Sequence, residues 1–194
     1  MNTGPPERFR QEFFAAIGAG DSAESLKQSA LAGRLAEWTR VLTAVVVRTC
    51  QRLGWPASGR DNKLDLLPVQ RSEYLGLDVV AFADGQKRWR YPKAVIELEN
   101  SQDLDLIAYS LWKVLAVRAD LRIVFCYRRS PGLAAALVKH LRDEVIHAMR
   151  LTGRVALEGE TVLVIGSRSE AGTFPDGFFS WWRLDTNTGT FARF

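Results

Sequence analysis

The sequence predicts an α/β fold in a single domain, with a mixed central sheet flanked by helices. Three observations predict it. Apolar residues recur at three-and-four spacing up to residue 53 and change to strand-like runs after it; the run LRIVFCY (121–127) has no alternation and reads as a strand buried on both faces; and helical segments separate the later strands. With 194 residues, 47% of them hydrophobic and 25% charged, the chain can bury one core without disulfide or metal staples.

The elements follow in order. Pro5, Pro6 and Glu7 start a short helix that the Gly18-Ala19-Gly20 breaker closes. Asp21 or Ser22 caps a second, long one, whose stripe of Leu31, Leu35, Trp38, Leu42, Val45, Val46, Thr49 and Leu53 runs to Gly54-Trp55-Pro56. Residues 57–62 are turn-rich. Residues 64–69 then read as a short strand interrupted by Pro68, residues 73–82 (EYLGLDVVAF) as a stronger strand, and residues 94–100 (AVIELEN) as another. Asn100, Ser101 or Asp103 caps a helix carrying Leu104, Ile107, Ala108, Leu111 and Leu115. The buried strand 121–127 follows, then a third long helix from Pro131 to about Arg150, a strand over 161–167, and a hairpin turning at residues 185–189.

Composition excludes several classes. Two cysteines, Cys50 and Cys126, make no disulfide framework and lie in apolar segments, which reads as buried thiols in a reducing, cytoplasmic setting. Residues 1–14 carry prolines and charges where a secretory leader needs an unbroken apolar stretch, and the run 41–47 is too short to span a membrane. The net charge of +4 permits nucleic-acid binding without demanding it.

Glu97 and Glu99 are two apart on a strand, so both leave one face while Ile96 and Leu98 leave the other. One face is then apolar and the other anionic. Neighbouring carboxylates repel, and a cation between their oxygens relieves that repulsion; a solvated sheet face is the alternative. Asp78, among Leu77 and Val79, is a third unexpected acid and needs a partner. If the strands of Asp78 and Glu97 pair antiparallel, the two face each other only when the connection is centred between Lys87 and Arg88. Pro92 disfavours a tighter ladder, so the longer loop is expected.

This order of helix, strand with Asp78, strand with Glu97-x-Glu99, helix and strand resembles the PD-(D/E)XK, or restriction-endonuclease-like, nuclease superfamily over residues 33–127. The resemblance implies a three-layer α/β sandwich, with residues 1–32 as a helical extension and residues 128–194 adding a helix, a strand and an aromatic hairpin. It implies Asp78 and Glu97 as ligands of Mg²⁺ or Mn²⁺ and a metal-dependent cleavage of phosphodiesters, with nucleic acid, DNA by expectation, as partner. The family's lysine position holds Glu99. Glu99 is then an added ligand, or the lysine has migrated, with Lys113 the nearest candidate because its helix runs back along the strand, or the site binds without cutting. Glu37 could join the acids from the long helix; a solvent-facing glutamate is the plainer reading.

Outside the acids, Lys87, Arg88, Trp89 and Arg90, with Tyr91 and Lys93, interleave cations and aromatics in the loop 86–93, a pattern suited to phosphates and stacked bases. A solvated hairpin with inward aromatics is the alternative. His140, Glu144 and His147 share a helix face but lack a zinc motif's spacing, so ordinary surface residues are expected. The tail aromatics Phe178, Phe179, Trp181, Trp182, Phe191 and Phe194 suit either a core or a homodimer interface. Charge is segregated: residues 34–71 carry seven basic and three acidic side chains and residues 106–154 nine and three, while residues 72–105 between them carry four and seven.

Overall fold

The computed structural model describes residues 4–85 and 87–194; Gln86, within the basic loop, lies outside the described residues, as do residues 1–3. The helices are α1 (Pro5–Ile17), α2 (Ser22–Ala32), α3 (Leu35–Arg52), α4 (Leu104–Leu115), α5 (Pro131–Leu141) and the short α6 (Leu151–Val155). The strands are β1 (Ala57–Gly59), β2 (Val79–Phe82), β3 (Pro92–Leu98), β4 (Leu121–Arg128), β5 (Glu160–Ser167), β6 (Phe179–Asp185) and β7 (Thr190–Arg193), and they form one sheet in chain order. β3, β4 and β5 are parallel; β1 and β2 on one side and β6 and β7 on the other pair antiparallel. Parallel neighbours need a crossover, which α4 supplies between β3 and β4 and α5 between β4 and β5.

Alternation along the strands makes two cores. Val79, Ala81, Ala94, Ile96, Ile123 and Val164 face α1, α2 and α3, while Val80, Val95, Val124, Leu163 and Ile165 face α4 and α5. The α/β class and the mixed sheet between helical layers therefore hold. No helix is long and apolar enough to cross a membrane, among the described residues.

Several expected elements change. The long second helix is two helices, because Gly33 takes a left-handed φ of 67° and ends α2, leaving Leu31 and Leu35 exposed rather than in the core. Residues 64–69 form no strand. The segment that read as turn, Ala57–Gly59, instead pairs with β2, where the ladder imposes an extended conformation that Ala-Ser-Gly does not itself favour. The strand expected over 73–82 is only β2, since Tyr74–Gly76 forms a 3₁₀ turn with Leu75 at φ 59°. The third long helix stops at Leu141 and continues as a π turn, Arg142–Ile146, so it does not reach Arg150 as one α-helix.

The tail aromatics resolve as core. Phe178, Phe179 and Trp181 are buried against α1 and α3, with Phe13 5.3 Å from Phe179 and 5.4 Å from Trp181, while Trp182 and Phe194 are half-buried. Cys50 and Cys126 are free and buried, and burial pushes both thiols up to about 12.

Candidate active site at the carboxyl end of the central strands

The register is the first determinant of the site. Val79 pairs with Ile96, Val80 with Val95 and Ala81 with Ala94, and the same register carried one step further sets Asp78 opposite Glu97. The connection is therefore centred where the long-loop expectation put it. The ladder slips between Ala81 and Phe82, where Phe82 meets Pro92. Asp78 itself lies just before β2, not inside a strand, and Glu99 just beyond β3.

Asp78 and Glu97 are linked through the backbone. The Leu98 N–H donates to Asp78 Oδ2 at 2.7 Å, and the Asp78 N–H reaches Glu97 Oε1 at 3.4 Å. The alternative of a solvated face does not hold for Glu97, which is only 5% exposed, with Val95 on the same side of β3 buried. Burial pushes the Glu97 carboxyl up to about 7; the Lys113 hydrogen bond opposes the shift and the Asp78 charge adds to it. Burial also raises Asp78, against the Leu98 N–H and the Lys113 charge that favour its ionised form.

Lys113 reaches this pair from α4. Asp103 caps that helix by accepting from Asp105 N–H at 2.8 Å, and α4 then runs back over β3, three turns carrying Lys113 alongside Glu97. Its Nζ is 2.8 Å from Glu97 Oε2 and donates to the Gly76 carbonyl at 2.9 Å. Among the described residues, one ammonium thus faces a buried carboxylate, Glu97, and a half-buried one, Asp78. Asp78 Oδ1 has no protein donor among the described residues. A hard divalent cation that keeps several waters needs only one or two carboxylates, so this donor set fits Mg²⁺ or Mn²⁺.

Glu99 does not join the pair. Its Oε1 accepts from Ser101 N–H at 2.8 Å and its Oε2 from Ser110 Oγ at 3.3 Å. Glu37 pairs with Arg34 at 2.6 Å on the exposed start of α3. The loop of Lys87, Arg88, Trp89 and Arg90 precedes β3, so it lies at the other end of the strand from Glu97, roughly 20 Å away for six strand steps. Its Trp89 and Tyr91 are exposed, not inward. His147 Nδ1 is 3.6 Å from Asp143, while His140 lies on α5, before the π turn that holds Asp143 and Glu144.

Sequence reading missed two features near the acids. Tyr109 and Trp112 stack on the outer side of α4, ring centroids 5.9 Å apart, and are 56% and 58% exposed. Their signal was present, because they fall off the buried stripe of Ile107, Leu111 and Val114. Arg128 is buried at the end of β4, where its Nη1 donates to the Tyr127 carbonyl at 2.8 Å and the Ser101 carbonyl at 3.2 Å. No family model matches the chain, and neither a curated protein nor a solved structure does.

Proposed function

We propose that this chain is a divalent-metal-dependent nuclease of the PD-(D/E)XK kind, with a restriction-endonuclease-like core, in which the motif lysine is supplied by Lys113 from α4. The observation that carries the reading is the convergence of Asp78, Glu97 and Lys113, drawn from three separate elements, at the carboxyl end of β3. Two carboxylates set side by side, Glu97 buried and Asp78 half-buried, cost stability, and perturbed acids in such a place mark functional sites.

Asp78 and Glu97 would hold Mg²⁺ or Mn²⁺, which supplies Lewis-acid polarisation of a phosphoryl oxygen and a more acidic water. The protein's part is electrostatic and positional. Leu98 N–H fixes the Asp78 carboxylate, the Asp78 N–H orients Glu97, and the Lys113 ammonium offers a donor to the anionic oxygens of a bound phosphodiester. Glu97, with its carboxyl at about 7, gives up its proton readily when a cation takes the place beside it.

The test is calorimetric titration with Mn²⁺ together with cleavage of labelled DNA and RNA in Mg²⁺ or Mn²⁺. Wild type is expected to bind the ion and cut, and Asp78→Ala to lose both. Metal-dependent cleavage that survives Asp78→Ala overturns the proposal. A second reading, binding of nucleic acid or a protein without cleavage, has one observation in its favour: among the described residues no three His, Cys, Asp or Glu side chains converge. It predicts no Mn²⁺ uptake in the same titration.

A further inference from the structure

Two surfaces flank the acids and differ in kind. On the α4 side, the Tyr109 ring centroid is 5.8 Å from Lys113 Nζ, the same ammonium that touches Glu97, so an exposed aromatic stack adjoins the carboxylates. Leu75, next to the Gly76 carbonyl that Lys113 holds, is 66% exposed and has a left-handed φ of 59°. A leucine in that conformation is strained, and here it projects into solvent at the mouth of the site. On the α3 side, Arg40, Arg48 and Arg60 line a cleft of about 260 Å³ with Asp61 and Asn62. Neither Arg40 nor Arg60 has a carboxylate within ion-pair distance, among the described residues.

The cleft adjoins the acids through the backbone. Gly59, immediately before Arg60, pairs with Val79, and a Cβ on Gly59 would lie 2.9 Å from the Asp78 carbonyl oxygen. Cations without partners on one side and open aromatic faces on the other are the two halves of a single-strand site: guanidinium groups follow phosphates, and rings accept unpaired bases. A duplex keeps its bases stacked on one another and has no use for the Tyr109–Trp112 platform.

Resting on the nuclease reading, we propose that the substrate crosses this end of the sheet as an unpaired strand, its phosphates at Arg40 and Arg60 and a base near the scissile phosphate on Tyr109 and Trp112. Leu75 stands as the apolar wedge that keeps the neighbouring bases apart.

The test is fluorescence anisotropy with a labelled single-stranded oligodeoxynucleotide and with the same sequence closed as a hairpin duplex, in calcium. Wild type is expected to bind the single strand about tenfold more tightly than the duplex. Tyr109→Ala and Trp112→Ala should each weaken single-strand binding at least fivefold and leave duplex binding unchanged, as stacking energies imply. Arg40→Glu with Arg60→Glu should weaken both and flatten the dependence on salt. Equal or tighter duplex binding, or alanine variants that bind like wild type, overturns the inference while Asp78-dependent cleavage leaves the nuclease reading standing. No binding to either probe, with no Mn²⁺ uptake, overturns both. If sedimentation shows that the alanine variants turn a dimer into a monomer with oligonucleotide affinity unchanged, the platform is a self-association surface and the proposal falls.

Discussion

Glu97→Gln is expected to stabilise the metal-free protein at alkaline pH, although it removes one partner of an ion pair. The Glu97 side chain is 7% exposed, and burial lifts its carboxyl from 4.5 to about 7. In the unfolded chain the group ionises first, so stability is fully present below 4.5 and is lost as pH rises through 7. Between pH 5 and pH 8 that linkage removes about 2.5 kcal/mol from wild type. Glutamine keeps the shape and does not titrate. Lys113 retains the Gly76 carbonyl at 2.9 Å and the Tyr109 face, so the ammonium is not stranded.

Urea unfolding in EDTA at pH 5, 6.5 and 8 reads the effect directly. The stability of Glu97→Gln relative to wild type should rise by about 2.5 kcal/mol across that range, or roughly 5–10 °C in Tm for a chain of this size. The opposite slope, with the variant losing ground as pH rises, would show that the Lys113 ion pair outweighs burial and holds Glu97 ionised. That result refutes the reasoning, because a Glu97 ionised well below neutrality is an ordinary structural ion pair.

Two further outcomes follow from the same geometry and from the fold. Lys113→Met removes the cation that, among the described residues, faces Asp78 and Glu97, so it should destabilise by about 1–2 kcal/mol more at pH 8 than at pH 5, where Glu97 protonates, as paired urea titrations would measure. Gly159→Ala should cost at least about 2 kcal/mol by thermal melting, because Gly159 has φ 79° and an added Cβ would lie 2.4 Å from the Ala119 carbonyl oxygen.

The register of the site was legible because it follows from two local facts: carboxylates at positions whose sum fixes the loop centre, and Pro92, which disfavours a tighter ladder and sits where the ladder slips. The run 121–127 read as doubly covered because it lacks alternation, and its one charge, Arg122, is buried by giving its donors to the Val117 and Glu158 carbonyls. What stayed hidden depends on tertiary pairing. β1 is extended only because β2 lies beside it, and the break at Gly33 is masked by a stripe that keeps three-and-four spacing on both sides. Whether Glu97 is solvated stayed open in the sequence because a two-residue period gives its face and not what covers that face; α4 covers it. Lys113 was reachable by rise per residue, but nothing local says which of α4's outward residues turns toward β3.

On the nuclease reading proposed above, Lys113 takes the place of a strand lysine and Glu99 has a different task. Glu99 ties the turn after β3 through Ser101 N–H and the middle of α4 through Ser110 Oγ. Ser110 lies three residues before Lys113, less than one helical turn. A carboxylate there anchors the helix that brings the ammonium to Glu97, whereas a lysine there would leave Ser110 without that acceptor and place a second cation beside a site with two acids. The glutamate and the helix lysine therefore make one arrangement: the anion at the end of β3 holds α4 in place, and α4 returns the cation to the acids that need it.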